Sequence, residues 1–162
     1  MPRSFLKVLL LIVTMLSAMD ALGQAPKGYG PGVTLDNAKK AAAAALAEAQ
    51  KNNWFMAVAV VDPSGTLVYY EKMDDTQTGS AIVAVEKART AALYKRPSKV
   101  FQDLVAGGGP GLRILGLPGA VPIEGGVPLV VDGKIIGAIG VSGDSSDHDG
   151  ICAQAGADSL SK

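Results

Sequence analysis

The 162-residue chain is poor in the residues that most often build metal sites and disulfides, since it has one histidine and one cysteine. One histidine excludes a metal site made of several histidines from a single chain. One cysteine excludes an intrachain disulfide, so Cys152 is expected in the core, with an intermolecular disulfide or a reactive thiol as alternatives. Neither charge is in excess, because 15 basic residues face 15 acidic ones. We therefore predict no nucleic-acid partner.

Long apolar runs are also absent beyond the N-terminus. Arg3 and Lys7 flank the start of about 11 mostly apolar residues at 8–18, and Ala21-Leu22-Gly23 offers small residues to a signal peptidase. A helix that crosses a bilayer needs about 20 apolar residues. The pattern predicts a cleaved secretory signal peptide at 1–23, an exported protein in the periplasm or the medium, and no membrane span after cleavage. A retained anchor is the alternative.

Glycine, proline and hydrophobic periodicity indicate one domain after the signal. Residues 24–32 contain two prolines and three glycines and are predicted to form a flexible lead-in to a domain at 33–162. Asp62-Pro63-Ser64-Gly65 and Asp132-Gly133 each lie between strand-like runs and predict β-hairpins. Hairpins flanked by helices predict a single antiparallel α+β domain. The predicted elements are a helix from Thr34 to about Asn53, a hairpin of Met56–Val61 and Thr66–Lys72, helices at Ser80–Lys95 and Lys99–Val105, a hairpin of Val127–Val131 and Lys134–Val141, and a helix from about Asp147 to Ser159.

The predicted helix at Ser80–Lys95 has an apolar stripe that we expect to face the sheet. Lys87 and Arg89 lie off this stripe. They are interpreted as solvated side chains or, together with Arg113, as partners for the carboxylates of a ligand such as a porphyrin. The stripe recurs at three- and four-residue spacing and consists of Ile82, Val85, Ala88, Ala92 and Leu93.

His148 is the one imidazole available for catalysis or metal binding. It is a candidate axial ligand of heme iron, or else a solvated residue in its turn. Asp144, Asp147 and Asp149 lie close to it in sequence, and they are predicted either to bind a hard cation or to stabilise the start of the last helix. Gly143–Ser146 precedes that helix, where free backbone N–H groups could hold a carboxylate. The other candidate iron ligands are Tyr29, Tyr69, Tyr70, Tyr94, Met56 and Met73.

Several short motifs occur in a fixed order along the chain. They are Lys87-Ala88-Arg89-Thr90-Ala91, Gly125-Gly126-Val127-Pro128-Leu129, Asp132-Gly133, Gly137-Ala138-Ile139-Gly140-Val141-Ser142-Gly143, and Asp147-His148-Asp149 followed by Ala153. In this order and spacing they resemble the GlcG/HbpS family of small heme-binding proteins, over about residues 33–160. The matching residues that support membership are Lys87, Thr90, Gly125, Gly126, Gly140 and Gly143.

The resemblance implies a five-stranded antiparallel sheet flanked by helices, assembly into homo-oligomers, and heme or iron as cofactor, with heme breakdown in some members. The leading hypothesis is an exported heme-binding protein that handles or protects against free heme, with a possible sensor or transport partner. The alternatives are a small enzyme acting on heme or a small organic acid, and an oligomeric interaction module without a ligand. The candidate heme-binding residues are His148, Lys87, Arg89, Thr90, Arg113 and Gly143, with His148 as the metal ligand.

Overall fold

A computed structural model of the protein describes residues 28–160. The predicted signal peptide at 1–23 and the first part of the lead-in lie outside the described residues. No helix within this range is long and apolar enough to cross a membrane. The prediction of a single α+β domain with an antiparallel sheet is confirmed. The elements are helices α1 (Leu35–Lys51), α2 (Ser80–Tyr94), α3 (Ser98–Ala106) and α4 (Ser146–Asp158), strands β1 (Ala57–Val61), β2 (Leu67–Lys72), β3 (Gly126–Val131) and β4 (Lys134–Ser142), and a 3-10 helix at Gly109–Gly116.

The sheet has the strand order β2-β1-β4-β3, and every neighbouring pair is antiparallel. Both predicted hairpins are confirmed. In the first turn, Asp62 Oδ1 accepts a hydrogen bond of 3.0 Å from Thr66 N–H, and Gly65 adopts a φ of +83°. In the second turn, Asp132 and Gly133 have φ angles of +49° and +72°, the left-handed pair of a two-residue hairpin turn. Local turn chemistry therefore specifies both hairpins.

The described residues contain four strands, so the prediction of a five-stranded sheet is wrong for this part of the chain. β1 ends at Val61, which lies opposite Ala138 of β4. Past the end of β1, the lead-in runs alongside the first residues of β4. Tyr29 forms a parallel bridge with Ile135, and Gly30 N–H donates to Ile135 O at 2.8 Å. Pro31 follows and has no N–H group with which to extend a ladder. The pairing therefore stays at one bridge and does not become a fifth strand.

The two faces of the sheet carry different cores. α1 and α4 cover one face, where Val58 and Val60 of β1 and Ile139 and Val141 of β4 belong to one large hydrophobic cluster. α2 covers the other face, where small side chains predominate. Because neighbouring residues of a strand point to opposite faces, alternation of large and small residues separates the two cores. The layer between α2 and the sheet consists of Ala84, Ala88, Ala91 and Ala92 from the helix and Ala57, Ala59, Val61 and Ala138 from the strands.

α2 lies close to the sheet because glycine occupies the strand positions beneath it. A Cβ atom at Gly126 would lie 2.1 Å from Lys87 O, and one at Gly140 would lie 2.0 Å from Ala84 O. Any other residue at these positions would push the helix away from the strands. Gly140 of the Gly137–Gly143 motif therefore serves tight packing between β4 and α2.

The predicted apolar stripe of α2 is correct in part, since Ala88 and Ala92 are buried against the sheet, but two of its large residues are exposed. Ile82 is 71% exposed and Leu93 is 44% exposed, whereas Lys87 and Thr90 are buried. Close approach to the sheet leaves room only for small side chains at the centre of the contact, and alanine occupies those positions. Hydrophobic periodicity weights large apolar residues, so it selected a face that is partly turned to solvent.

Candidate functional site

His148 lies in the first turn of α4, at the surface of the layer formed by α1 and α4. Its ring stacks on Trp54, with centroids 3.8 Å apart and planes inclined by 13°. The His148 side chain is 38% exposed, and its Nδ1 is buried and lies 3.4 Å from Asp144 Oδ2. The contact is too long or too bent for a regular hydrogen bond, and Nδ1 has no other partner among the described residues. Nε2 is therefore the ring nitrogen available to a ligand.

The Nδ1 edge of the ring faces a carboxylate, as in many metal-ligating histidines, but no regular hydrogen bond joins the two groups. Such histidines commonly turn the second ring nitrogen toward a carboxylate, which fixes the ring orientation. Trp54 packs on the face of the ring, and the Asp144 carboxylate lies at its Nδ1 edge. Trp54 precedes β1, far from His148 in sequence, and no local pattern joins the two residues. Sequence reasoning therefore identified His148 but missed its aromatic neighbour.

The backbone N–H groups ahead of α4, at Gly143–Ser146, bind carboxylates of the chain itself. Asp144 N–H donates to Asp149 Oδ1 at 3.3 Å, and Ser145 N–H donates to Asp144 Oδ1 at 2.7 Å. Ser145 Oγ in turn accepts from His148 N–H at 3.4 Å. The expected role of these groups in holding a ligand carboxylate is already filled by Asp144 and Asp149. Gly143 serves close packing, because a Cβ atom there would lie 2.0 Å from Phe55 O.

Lys87 and Asp149 form an ion pair in the interior, between α2 and the start of α4. Lys87 Nζ lies 2.6 Å from Asp149 Oδ2 and also donates to Val141 O at 3.2 Å. The two side chains are only 1% and 3% exposed. The interpretation of Lys87 as a solvated side chain is therefore wrong, and its ammonium group is already paired.

Burial governs the pKa of both partners. It lowers the pKa of Lys87 from its ordinary value, against the opposing effect of the Asp149 and Glu124 carboxylates. It raises the pKa of Asp149, although the Lys87 ammonium and the N–H groups of Asp144 and Gly143 act in the other direction. Each charge in this interior therefore depends on the other, and removal of one partner leaves an uncompensated buried charge.

The remaining predicted heme-binding residues do not converge on His148. Thr90 is buried, and its hydroxyl donates to Glu86 O at 2.8 Å while accepting from Val121 N–H at 2.9 Å. Arg89 lies on α2, where its Nη1 pairs with Glu86 Oε1 at 2.7 Å. Arg113 is exposed on the 3-10 helix. Arg89 lies on the helix that covers the opposite face of the sheet from α1 and α4.

A second candidate surface is an open apolar groove of about 400 Å³ between α2 and β2. It brings together Tyr70, a predicted candidate ligand of iron, and Arg89, a predicted partner for the carboxylates of a ligand. The Tyr70 hydroxyl makes no hydrogen bond to the described residues, whereas the hydroxyl of each of the other three tyrosines donates to at least one acceptor. The groove therefore offers a free phenol and a guanidinium beside an apolar wall. Its lining is Leu67, Tyr70, Ala81, Ile82, Val85, Glu86 and Arg89.

A site for a bare metal ion is not found in the part of the chain that the structure describes. No group of three or more His, Cys, Asp or Glu side chains between residues 28 and 160 could hold a metal ion. Asp147 and Asp149 instead lie in the first turn of α4, where the helix dipole favours negative charge. Iron bound at His148 would therefore take few of its ligands from residues 28–160.

Comparison with known proteins assigns the family. The family described as "Haem degrading protein HbpS-like" matches residues 33–158. The chain belongs to the GlcG/HbpS family. Protein GlcG of Escherichia coli strain K12 is 47% identical over 100 residues, which cover 62% of this chain and 73% of GlcG. The family resemblance inferred from the sequence motifs is thereby confirmed.

Solved structures of GlcG/HbpS relatives share the fold. A double mutant of Streptomyces reticuli HbpS superposes with a TM-score of 0.73 at 32% identity, covering 86% of this chain and 91% of the HbpS chain. The PduOC:heme complex superposes with a TM-score of 0.71 at 29% identity, covering 80% of this chain and 95% of PduOC. Heme is thus a ligand of one structural relative.

Proposed function

We propose that this protein binds heme and that His148 supplies a ligand to the iron. The observation that carries the proposal is the geometry of the His148 ring, which is stacked on Trp54 with Nδ1 turned toward Asp144 and Nε2 left available. The relationship to PduOC, which was solved as a heme complex, supports heme as the ligand. Phe55, which follows Trp54 in the chain, is 49% exposed.

The donor set fits heme better than free iron. A porphyrin supplies four nitrogen ligands, so one imidazole completes an axial position. A mononuclear iron site without porphyrin needs several protein ligands, and residues 28–160 provide no such cluster. Heme, when bound, supplies one-electron redox chemistry at its iron. The part of the protein is to hold the imidazole in one orientation and to give the macrocycle an apolar surface.

Titration of hemin into the purified protein tests the function. We expect a saturable shift of the Soret band that ends at one hemin per chain. A spectrum that remains the sum of free hemin and protein, up to stoichiometric protein, would overturn the proposal. The titration requires protein without a histidine tag, since His148 is the only natural histidine.

Two variants locate the site. His148→Ala removes the imidazole, and it is expected to weaken hemin binding and to shift the Soret band, because the iron loses its protein ligand. Tyr70→Phe removes the free phenol of the groove between α2 and β2, and it is expected to leave the spectrum unchanged. A spectral change in Tyr70→Phe together with none in His148→Ala would place heme in that groove and remove His148 from the site.

The proposal includes export and the handling of free heme outside the cytoplasm. Its support is the signal-like pattern at 1–23. Cell fractionation and the intact mass of the natural protein test this part, and we expect a chain that begins near Gln24 in the periplasm or the medium. A full-length protein in the cytoplasm would contradict it. Homo-oligomers and a sensor or transport partner remain predictions, and light scattering tests the first of them.

Heme breakdown is a second candidate function, favoured by the description of the matching family as heme-degrading. Its test is incubation of the hemin complex with a reductant in air. Loss of the Soret band with release of iron would support turnover, whereas a stable spectrum would limit the protein to binding.

A further inference from the structure

We infer that the buried Lys87–Asp149 pair sets the orientation of the His148 ring, acting through Asp144. The inference rests on the proposed function, because it concerns the imidazole proposed to bind iron. Lys87 and Asp149 are positioning residues in this account, since neither touches the ring.

A continuous series of contacts joins the interior to the surface. Lys87 Nζ binds Asp149 Oδ2 at 2.6 Å, and Asp149 Oδ1 accepts from Asp144 N–H at 3.3 Å. The last link is a contact between the Asp144 carboxylate and the imidazole, with Oδ2 at 3.4 Å from His148 Nδ1, and not a regular hydrogen bond. The two oxygens of Asp149 thus have separate partners, one in the core and one in the turn before α4.

The Asp144 carboxylate needs this support because it is exposed. Its side chain is 43% accessible, and an exposed carboxylate beside an imidazole contributes little orientation by itself. The backbone of Asp144, in contrast, is held by Asp149, which Lys87 fixes in turn. Lys87 cannot move easily, because α2 packs directly on the glycines of the sheet. The tightly packed interior thereby restricts the movement of Asp144 in the surface turn before α4.

If the Lys87–Asp149 pair only stabilised the fold, its removal would not change the orientation of the His148 ring. Stability depends on avoiding an unpaired buried charge, and removal of both charges satisfies that condition. Orientation depends on an acceptor for Asp144 N–H at position 149.

Two double variants separate these roles. Lys87→Met with Asp149→Asn keeps a side-chain oxygen at position 149, and Lys87→Met with Asp149→Ala removes it. Both lack the two charges, so each is the matched control of the other.

The readout in the heme-free protein is the contact between the rings. The chain has one tryptophan and one histidine, so a nuclear Overhauser effect between indole and imidazole protons has one assignment, Trp54 to His148. We expect this effect in the wild type and in the Asn variant, and its loss in the Ala variant, with a matching change in the fluorescence lifetime of Trp54.

The readout in the heme complex is affinity for hemin. Loss of a residue that orients a ligating histidine costs about 10–100-fold in metal affinity. We expect hemin binding within about twofold of wild type for the Asn variant and at least about tenfold weaker for the Ala variant, at the low end of that range. If the Ala variant fails to fold, Lys87→Met with Asp149→Leu fills the space, and the same result is expected.

The outcomes separate this inference from the proposed function. A ring contact retained equally in the Asn and Ala variants overturns the positioning role, whatever hemin does. Wild-type protein that keeps the ring contact but does not bind hemin overturns the proposed function and leaves the ring measurements to decide the positioning role. Loss of the ring contact in the Ala variant alone supports it.

Discussion

The two faces of the sheet are built on different principles, and adjacent residues of β4 illustrate the contrast. Ile139 points into the large cluster under α1 and α4, where side chains meet side chains. Gly140 points to α2, where the strand backbone meets the helix backbone. A side-chain core adjusts to small changes of volume, whereas a backbone contact cannot shorten further. The face under α2 is therefore the rigid one, and it carries the buried Lys87 that pairs with Asp149.

The largest effect is expected from Lys87→Met on the rigid face. The substitution leaves the Asp149 carboxylate buried and unpaired, which should cost about 3–5 kcal/mol of unfolding free energy. Urea denaturation measures it. The matched control is Lys87→Met combined with Asp149→Asn, which removes both charges and should recover most of the loss. Equal stabilities of the single and double variants would show that the pair is not coupled.

The second effect compares the two faces at neighbouring positions. Gly140→Ala adds one methyl group that meets Ala84 O and should cost about 3 kcal/mol, near the upper end for overpacking. Ile139→Val removes one methyl group from the opposite core and should cost about 1 kcal/mol. Both are measured by denaturation at one pH. If Gly140→Ala costs no more than Ile139→Val, the close backbone contact does not control the stability of this face.

The effect that is smallest at neutral pH, and that appears only in alkali, concerns Cys152, which lies in the core shared by α1 and α4. Burial raises the pKa of its thiol from an ordinary 9.0 to about 12. The unfolded chain therefore loses the thiol proton first as pH rises. The stability that this thiol contributes is complete below pH 9 and is lost as pH rises toward 12.

Denaturation at a series of pH values measures this loss, which should approach about 1.4 kcal/mol per pH unit between the two pKa values. Cys152→Ala is the control, because it should show a shallower decline over the same range while other groups titrate unchanged. Parallel curves for the two proteins would mean that the Cys152 thiol is not shielded from water in the fold.

The sequence is sufficient to predict those features that depend on neighbouring residues of the chain. Asp62-Pro63-Ser64-Gly65 and Asp132-Gly133 specify their turns by residue chemistry, and both hairpins are found. The first helix starts where it was predicted to, and Thr34 caps it, with Oγ1 accepting from Asn37 N–H at 3.3 Å. Family membership could also be predicted, because the motifs that indicate it are short and occur in a fixed order along the chain.

Tertiary contacts were beyond prediction from the sequence. Lys87 and Asp149 are 62 residues apart, and nothing local marks a lysine that is buried beside a carboxylate. The sheet leaves little space beneath α2, so small residues occupy the inward face of the helix. Hydrophobic periodicity placed Ala88 and Ala92 there correctly but wrongly added Ile82 and Leu93. The stacking of Trp54 on His148 follows from the packing of α1 against α4, which no single segment encodes.

The most direct test of the central claim is pulsed electron paramagnetic resonance on the ferric hemin complex of untagged protein labelled with ¹⁵N-histidine. The label enters one imidazole, that of His148. The account predicts a ¹⁵N hyperfine coupling to iron in addition to the ¹⁴N couplings of the porphyrin, and its disappearance in His148→Ala. A wild-type spectrum of bound hemin that contains only porphyrin ¹⁴N couplings would contradict the claim that His148 ligates heme iron.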